Sequence, residues 1–147
     1  MATTAQITLT SDVYSGFGGI SKTMTMTKAG ALTDIEETTG FSRRKLAATT
    51  AVDLITMANE LVEPSDNTAA KVYIQNIGDG KGNTDSIDKS TYVTVSVGDT
   101  GGTTQQVGRL YGGDWLLMPA TVVDDMDIVV APSTNDAVVL EYTMFYE

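Results

Sequence analysis

The sequence contains no cysteine and no histidine. Without cysteine there is no disulfide framework, no thiolate nucleophile and no cysteine-based metal site. Without histidine, the commonest general base and the commonest transition-metal ligand are both missing. Ser-His-Asp and Cys-His catalysis are thereby excluded. Basic residues are scarce, 9 against 19 acidic ones, which gives a net charge of -10. A chain so charged repels the phosphate backbone of nucleic acid and the anionic surface of a membrane. No stretch approaches the roughly 18 apolar residues of a membrane-spanning helix. Met1–Gln6 carries no basic residue and leads into no apolar run, so nothing there resembles a signal peptide.

What the sequence does hold is threonine, glycine and alternation. At 147 residues it has the length of one domain, and a chain of that size buries roughly 68–70% of its unfolded surface without needing staples. Threonines come in pairs, as at Thr3-Thr4, Thr38-Thr39, Thr49-Thr50 and Thr103-Thr104. With 14 glycines and 3 prolines, this is the composition of many short strands joined by glycine turns.

Apolar and polar residues alternate at Ala5–Thr10 and Ser21–Lys28, which predicts half-buried strands. Gly30–Gly40 is expected to be a loop. Thr50–Glu63 fits either a helix capped by Thr50 or a strand; the preferred reading is a strand through Met57 followed by one helical turn. Ala69–Ile77, Thr91–Val97 and Gln105–Tyr111 read as strands, as does Trp115–Met118, which Pro119 is expected to end. Met126–Val130 and Ala137–Tyr146 complete the set. Turn signals every 8–12 residues without helical spacers predict an all-β domain spanning 1–147, a single antiparallel β-sandwich, Ig-like or jelly-roll-like, with little helix. Residues 1–6 are expected to form an extended N-terminal segment.

Five local patterns suggest chemistry. Asp99-Thr100-Gly101 matches the tripeptide of aspartic proteases, where two carboxylates share a proton. Asp-Thr-Gly-Gly is equally good hairpin sequence, and the turn is the expected outcome. Asp79–Asp88 looks at first like a calcium loop, but Lys81, Thr84 and Ser90 occupy ligand or glycine places, so a solvated loop is expected. The glycines at 16–19 and 78–82 match neither phosphate-binding pattern and read as turns. Arg43, Arg44 and Lys45 hold 3 of the 9 basic charges. Such a spot can dock an acidic partner surface, although edge strands commonly carry charges of this kind. Arg109–Pro119 is the densest aromatic stretch and holds the single Trp115 beside Tyr111. Exposed, the two rings would form a sugar platform or an interface hot spot; the expected reading is core residues on two strands joined by a tight turn.

The runs GRLYGGDWLLMP at Gly108–Pro119 and LEYTMFYE at Leu140–Glu147, with KVYIQN and TYVTVSVG before them, resemble small Thr- and Gly-rich structural proteins of tailed bacteriophages, notably those of marine and cyanobacterial hosts. The resemblance covers roughly Ala69 to Glu147. It implies a hairpin of GRLYGGDW type and a virion component. The component in question is a head decoration (cement) protein on the outer surface of the major capsid protein lattice, assembled in the host cytoplasm. It further implies that the major capsid protein is the partner, that a homo-oligomer such as a trimer is compatible, and that no enzyme activity, cofactor or metal is involved. Arg43, Arg44, Lys45, Tyr111 and Trp115 are the candidate interface residues. The alternatives are a tail, neck or fibre component, a carbohydrate-binding sandwich module using Tyr111 and Trp115, and a glycosidase built from two carboxylates.

Overall fold

A computed structural model describes residues 4–9, 20–25, 37–57, 69–78, 91–121 and 123–146. The expected turns at 16–19 and 79–90 and the helical turn after Met57 lie outside these residues.

All regular structure among the described residues is β apart from a helical position at Met57. The strands are β1 (Thr4–Leu9), β2 (Ile20–Thr25), β3 (Glu37–Thr38), β4 (Ser42–Leu46), β5 (Val52–Ile55) and β6 (Ala69–Asn76). They continue with β7 (Tyr92–Gly98), β8 (Thr104–Tyr111), β9 (Trp115–Thr121), β10 (Ile128–Pro132) and β11 (Val138–Tyr146). One sheet runs β5-β10-β7-β8. The other runs β3-β11-β6-β9, with β4 pairing the same side of β11 as an extension of β3, and all pairings are antiparallel. β1 and β2 form a separate antiparallel hairpin, in which Ala5, Ile7 and Leu9 pair with Met24, Lys22 and Ile20.

The strands follow from the residues that fill them. β6 reads AAKVYIQN, and its buried positions are Ala70, Val72, Ile74 and Asn76. That is the period-2 alternation of a strand with one face in a core. The inward residues of both sheets meet: Val72, Ile74, Leu140 and Met144 from the five-stranded sheet pack with Leu54, Val93, Val95, Ile128 and Val130 from the four-stranded one. The fold is therefore an all-β sandwich, as the alternation predicted.

Three expectations need correction. The segment taken as a loop contains β3, whose position is fixed by Thr39: its hydroxyl accepts from the Met144 N–H at 3.0 Å, and its own N–H donates to the Met144 carbonyl at 3.0 Å. Pro119 does not end β9, which continues to Thr121. β9 is an edge strand, and there a proline's missing N–H forfeits no ladder bond. Most important, Gly108–Pro119 is not a hairpin. β8 lies in the four-stranded sheet and β9 in the five-stranded one, so Gly112-Gly113-Asp114 is a corner that carries the chain from one sheet to the other.

A buried amide holds that corner. Asn76, 2% exposed, donates from Nδ2 to the Leu110 carbonyl at 3.0 Å and accepts at Oδ1 from the Gly78 N–H at 2.9 Å. Its backbone N–H reaches the Asp114 carbonyl at 3.0 Å, and its carbonyl receives the Gly113 N–H at 2.8 Å. Asp114 closes the turn by accepting the Tyr111 N–H at Oδ2 (3.0 Å) while its own N–H donates to the Tyr111 carbonyl (2.9 Å). Gly113 has φ 89, a left-handed conformation that glycine adopts without a Cβ clash.

Candidate functional site

The corner sends Tyr111 and Trp115 to opposite sides of the molecule. Alternation along each strand fixes which residues face outward, because directly paired residues share a face.

On the five-stranded sheet the outward row runs Arg43–Glu141–Gln75–Trp115 across β4, β11, β6 and β9. Tyr73 lies two residues from Gln75 on β6, and Phe41 just precedes β4, placed by the left-handed Gly40 (φ 74). The three rings form a file. Phe41 meets Tyr73 edge-on with centroids 6.0 Å apart, and Tyr73 meets Trp115 at 6.4 Å with the planes only 32° apart. Phe41 is 69% exposed and Trp115 45%, so the expectation that Trp115 belongs to the core is corrected. The reason is register: the core side of β9 belongs to Leu116, Met118 and Ala120, and Trp115 is on the other parity.

The polar groups beside the file are tied to one another. The Arg43 guanidinium donates to Glu141 Oε2 at 2.8 Å, and the Tyr73 hydroxyl donates to Gln75 Oε1 at 2.8 Å. Partial burial, helped by the nearby Glu141 carboxylate, pushes the Tyr73 phenol above its ordinary value. Lys45 and Lys71 share this face by register and flank the file.

The four-stranded sheet presents a different patch. Tyr92 of β7 pairs directly with Tyr111 of β8, their centroids 5.4 Å apart. Arg109, exposed and paired with Thr94, stacks over the Tyr92 ring with its guanidinium carbon 4.5 Å from the centroid. Stacking of this kind holds a cation in place while leaving its charge toward solvent.

The five candidate interface residues are therefore divided. Arg43, Lys45 and Trp115 share the outer face of the five-stranded sheet, and Tyr111 lies on the opposite face. Arg44 takes the inward parity of β4 and donates to the Asp53 carbonyl on β5, so it joins the edges of the two sheets. Phe41, Tyr73, Tyr92 and Arg109 were missed. For Tyr73 the signal existed, since it alternates with the apolar Val72 and Ile74.

Asp99-Thr100-Gly101 forms the β7–β8 turn, as expected. Asp99 Oδ1 accepts the Gly101 N–H at 2.8 Å, and the Asp99 carbonyl accepts the Gly102 N–H at 3.0 Å. Nearby, the buried Asp127 accepts the Met57 N–H at Oδ1 (2.7 Å), and its carbonyl accepts the Gly98 N–H (3.0 Å). Burial pushes the Asp127 carboxyl above the usual range. The Met57 bond opposes that, while the carboxylates of Asp53, Asp99 and Asp124 add to it. Asp53 Oδ2 accepts from the Thr100 hydroxyl at 3.1 Å, and its buried Oδ1 has no hydrogen-bond partner. Among the described residues, no group of three or more acidic side chains is placed to hold a metal ion, and no helix is long and apolar enough to cross a membrane.

No family model and no curated protein matches the chain. Among solved structures it is similar to a chain from "Bacillus endospore appendages form a novel family of disulfide-linked pili". The TM-score is 0.42 and the identity 19%, over 79% of this chain and 93% of that one.

Proposed function

We propose that this protein is a non-enzymatic structural component of a tailed-phage virion, a head decoration protein bound to the outer surface of the major capsid protein lattice. The observation that carries the reading is the pair of unlike aromatic faces on opposite sides of one sandwich. A decoration subunit needs one face for the lattice and leaves another toward solvent. The sequence resemblance over Ala69–Glu147 supports the same reading.

The lattice face in this proposal is the Tyr92–Tyr111–Arg109 patch. Tyr and Arg are the residues over-represented where contacts carry most of the binding energy. Arg109 offers a cation on a chain of net charge -10, so it suits an acidic spot on the partner. On the other face, by contrast, Arg43 is already neutralised by Glu141. A small contact repeated over a lattice holds firmly when neighbouring copies engage together.

The experiment is quantitative mass spectrometry of purified particles, giving copies of this chain per copy of major capsid protein. The proposal expects hundreds of copies per particle. A handful would move the protein to the tail, neck or fibre, and absence would end the virion reading. With occupancy as the readout, Arg109→Glu is expected to leave the particles undecorated, and full decoration by that variant would exclude this face as the contact.

A further inference from the structure

The Phe41–Tyr73–Trp115 file is not used by the docking just proposed, yet it is the most exposed aromatic surface among the described residues. Large apolar side chains left in water side by side mark a binding surface more often than chance exposure does. Two properties narrow what this surface takes.

The first is shape. The rings lie across the outer face of one sheet, Phe41 just before β4, Tyr73 on β6 and Trp115 on β9, with successive centroid steps of 6.0 and 6.4 Å. Tyr73 and Trp115 are tilted by only 32° to one another, while Phe41 stands edge-on to Tyr73 at 75° and borders the pair. A pyranose ring presents a face of C–H groups, apolar and slightly positive, that matches the negative face of an aromatic ring. Rings in file accept consecutive sugars of a chain.

The second is the polar company. Gln75, Glu141 and Arg43 lie in one cross-strand row beside the file. They supply an amide, a carboxylate and a guanidinium, which are planar groups carrying donors and acceptors spaced to match neighbouring hydroxyls. Their charges cancel in the 2.8 Å Arg43–Glu141 pair. An acidic peptide would need that pair broken, whereas a neutral hydroxyl-rich ligand does not. Lys45 and Lys71 stand to either side of the row and not within it.

We infer that the outer face of the five-stranded sheet is a carbohydrate-binding platform, with Tyr73 and Trp115 stacking on a neutral oligosaccharide chain, Phe41 bordering it edge-on, and Gln75, Arg43 and Glu141 bonding its hydroxyls. That this platform points away from a capsid rests on the docking reading above; the binding itself does not, and it is tested on the isolated protein.

The single Trp115 is the reporter. Its fluorescence is titrated with cellohexaose, mannohexaose and chitohexaose, and amide shifts are followed by NMR in the same titrations. At least one hexasaccharide is expected to change Trp115 emission saturably and to move the amides of Phe41, Tyr73, Gln75 and Glu141. Phe41→Ala is expected to weaken that binding about tenfold while leaving the melting temperature in place, because the ring is largely in water. Silence from all three sugars at millimolar concentration overturns the inference, and so do shifts confined to Tyr92, Arg109 and Tyr111. Trp115 emission that responds to purified capsids instead of to sugars would make this face a protein contact and equally overturn it. Copy number per particle is unaffected by any of these results, so the two readings fail separately.

Discussion

The two outward faces of this sandwich use the same kinds of side chain for different ends. On the five-stranded side, Arg43 is spent on Glu141, and the rings of Phe41 and Trp115 stand in water. On the four-stranded side, Tyr92 and Tyr111 are only partly exposed, and Arg109 lies over Tyr92 with its charge outward. One face thus offers apolar planes beside an arginine already paired with a carboxylate, and the other offers an arginine's charge with its apolar planes partly covered. What an arginine is paired with, more than its presence, separates a surface suited to neutral ligands from one suited to an acidic protein.

The contrast depends on the corner that divides Tyr111 from Trp115, and the largest expected effect lies there. Asn76→Ala removes the bonds to the Leu110 carbonyl and the Gly78 N–H and leaves both groups unpaired near the core. A loss of about 3 kcal/mol is expected in urea unfolding, in line with the cost of stranding buried partners. Both faces should loosen together, seen as disturbed amide shifts on β8 and β9. A loss confined to one sheet would show that the corner does not couple them.

Gly98→Ala tests one face alone. Gly98 has φ 137, and an added Cβ would press on the Thr103 carbonyl oxygen across the β7–β8 turn. A destabilisation of about 2 kcal/mol is expected from the strained backbone and the clash. It should be felt through β7 and β8, which carry the tyrosine patch, and spare the file around Tyr73.

Acidity offers a third handle. The Asp127 carboxyl titrates higher in the folded chain than in the unfolded one, so the fold holds that proton more tightly. Its contribution to stability is full below the ordinary carboxylate range and is lost as pH rises through the raised value. Asp127→Asn keeps an oxygen to accept the Met57 N–H and removes the repulsion from Asp53, Asp99 and Asp124. The variant should be at least as stable as the natural chain at neutral pH, and its melting temperature should decline less than the natural chain's between pH 4 and 7. A variant that melts well below the natural chain at pH 7 would contradict the account of that cluster.

The smallest expected effect sharpens the chemistry of the aromatic file. Glu141→Gln removes an exposed ion pair, which costs about 0.5 kcal/mol or less. It also removes the charge that helps hold the Tyr73 phenol up, so ultraviolet titration should find that phenol lower than in the natural chain. An unchanged titration would mean that burial alone sets it.

Much of the architecture was legible in the sequence because alternation is local. AAKVYIQN, TYVTVSV and the C-terminal run each declared a buried side and an outward side. The same alternation places Asn76 on the core side of β6, and an amide at a core position was a readable sign that something would be bonded to it. The corner was not legible. Gly112-Gly113-Asp114 is turn sequence whether the next strand joins the same sheet or the facing one, and the difference rests on β9 pairing with β6, about 40 residues earlier. The aromatic file escaped for the same reason. Phe41, Tyr73 and Trp115 belong to three separate segments, and only the register of β4, β11, β6 and β9 draws them together. Arg44 and its neighbours Arg43 and Lys45 read as one basic spot, but strand parity turns the middle one inward.

The central claim, that one face meets the capsid and the other stays in water, is tested most directly by hydroxyl-radical footprinting of purified particles against the free protein. The account predicts that Tyr92 and Tyr111 are protected on the particle while Phe41 and Trp115 are modified as fast as in the free chain. Protection of Trp115 with Tyr111 left reactive would reverse the assignment of faces and contradict it.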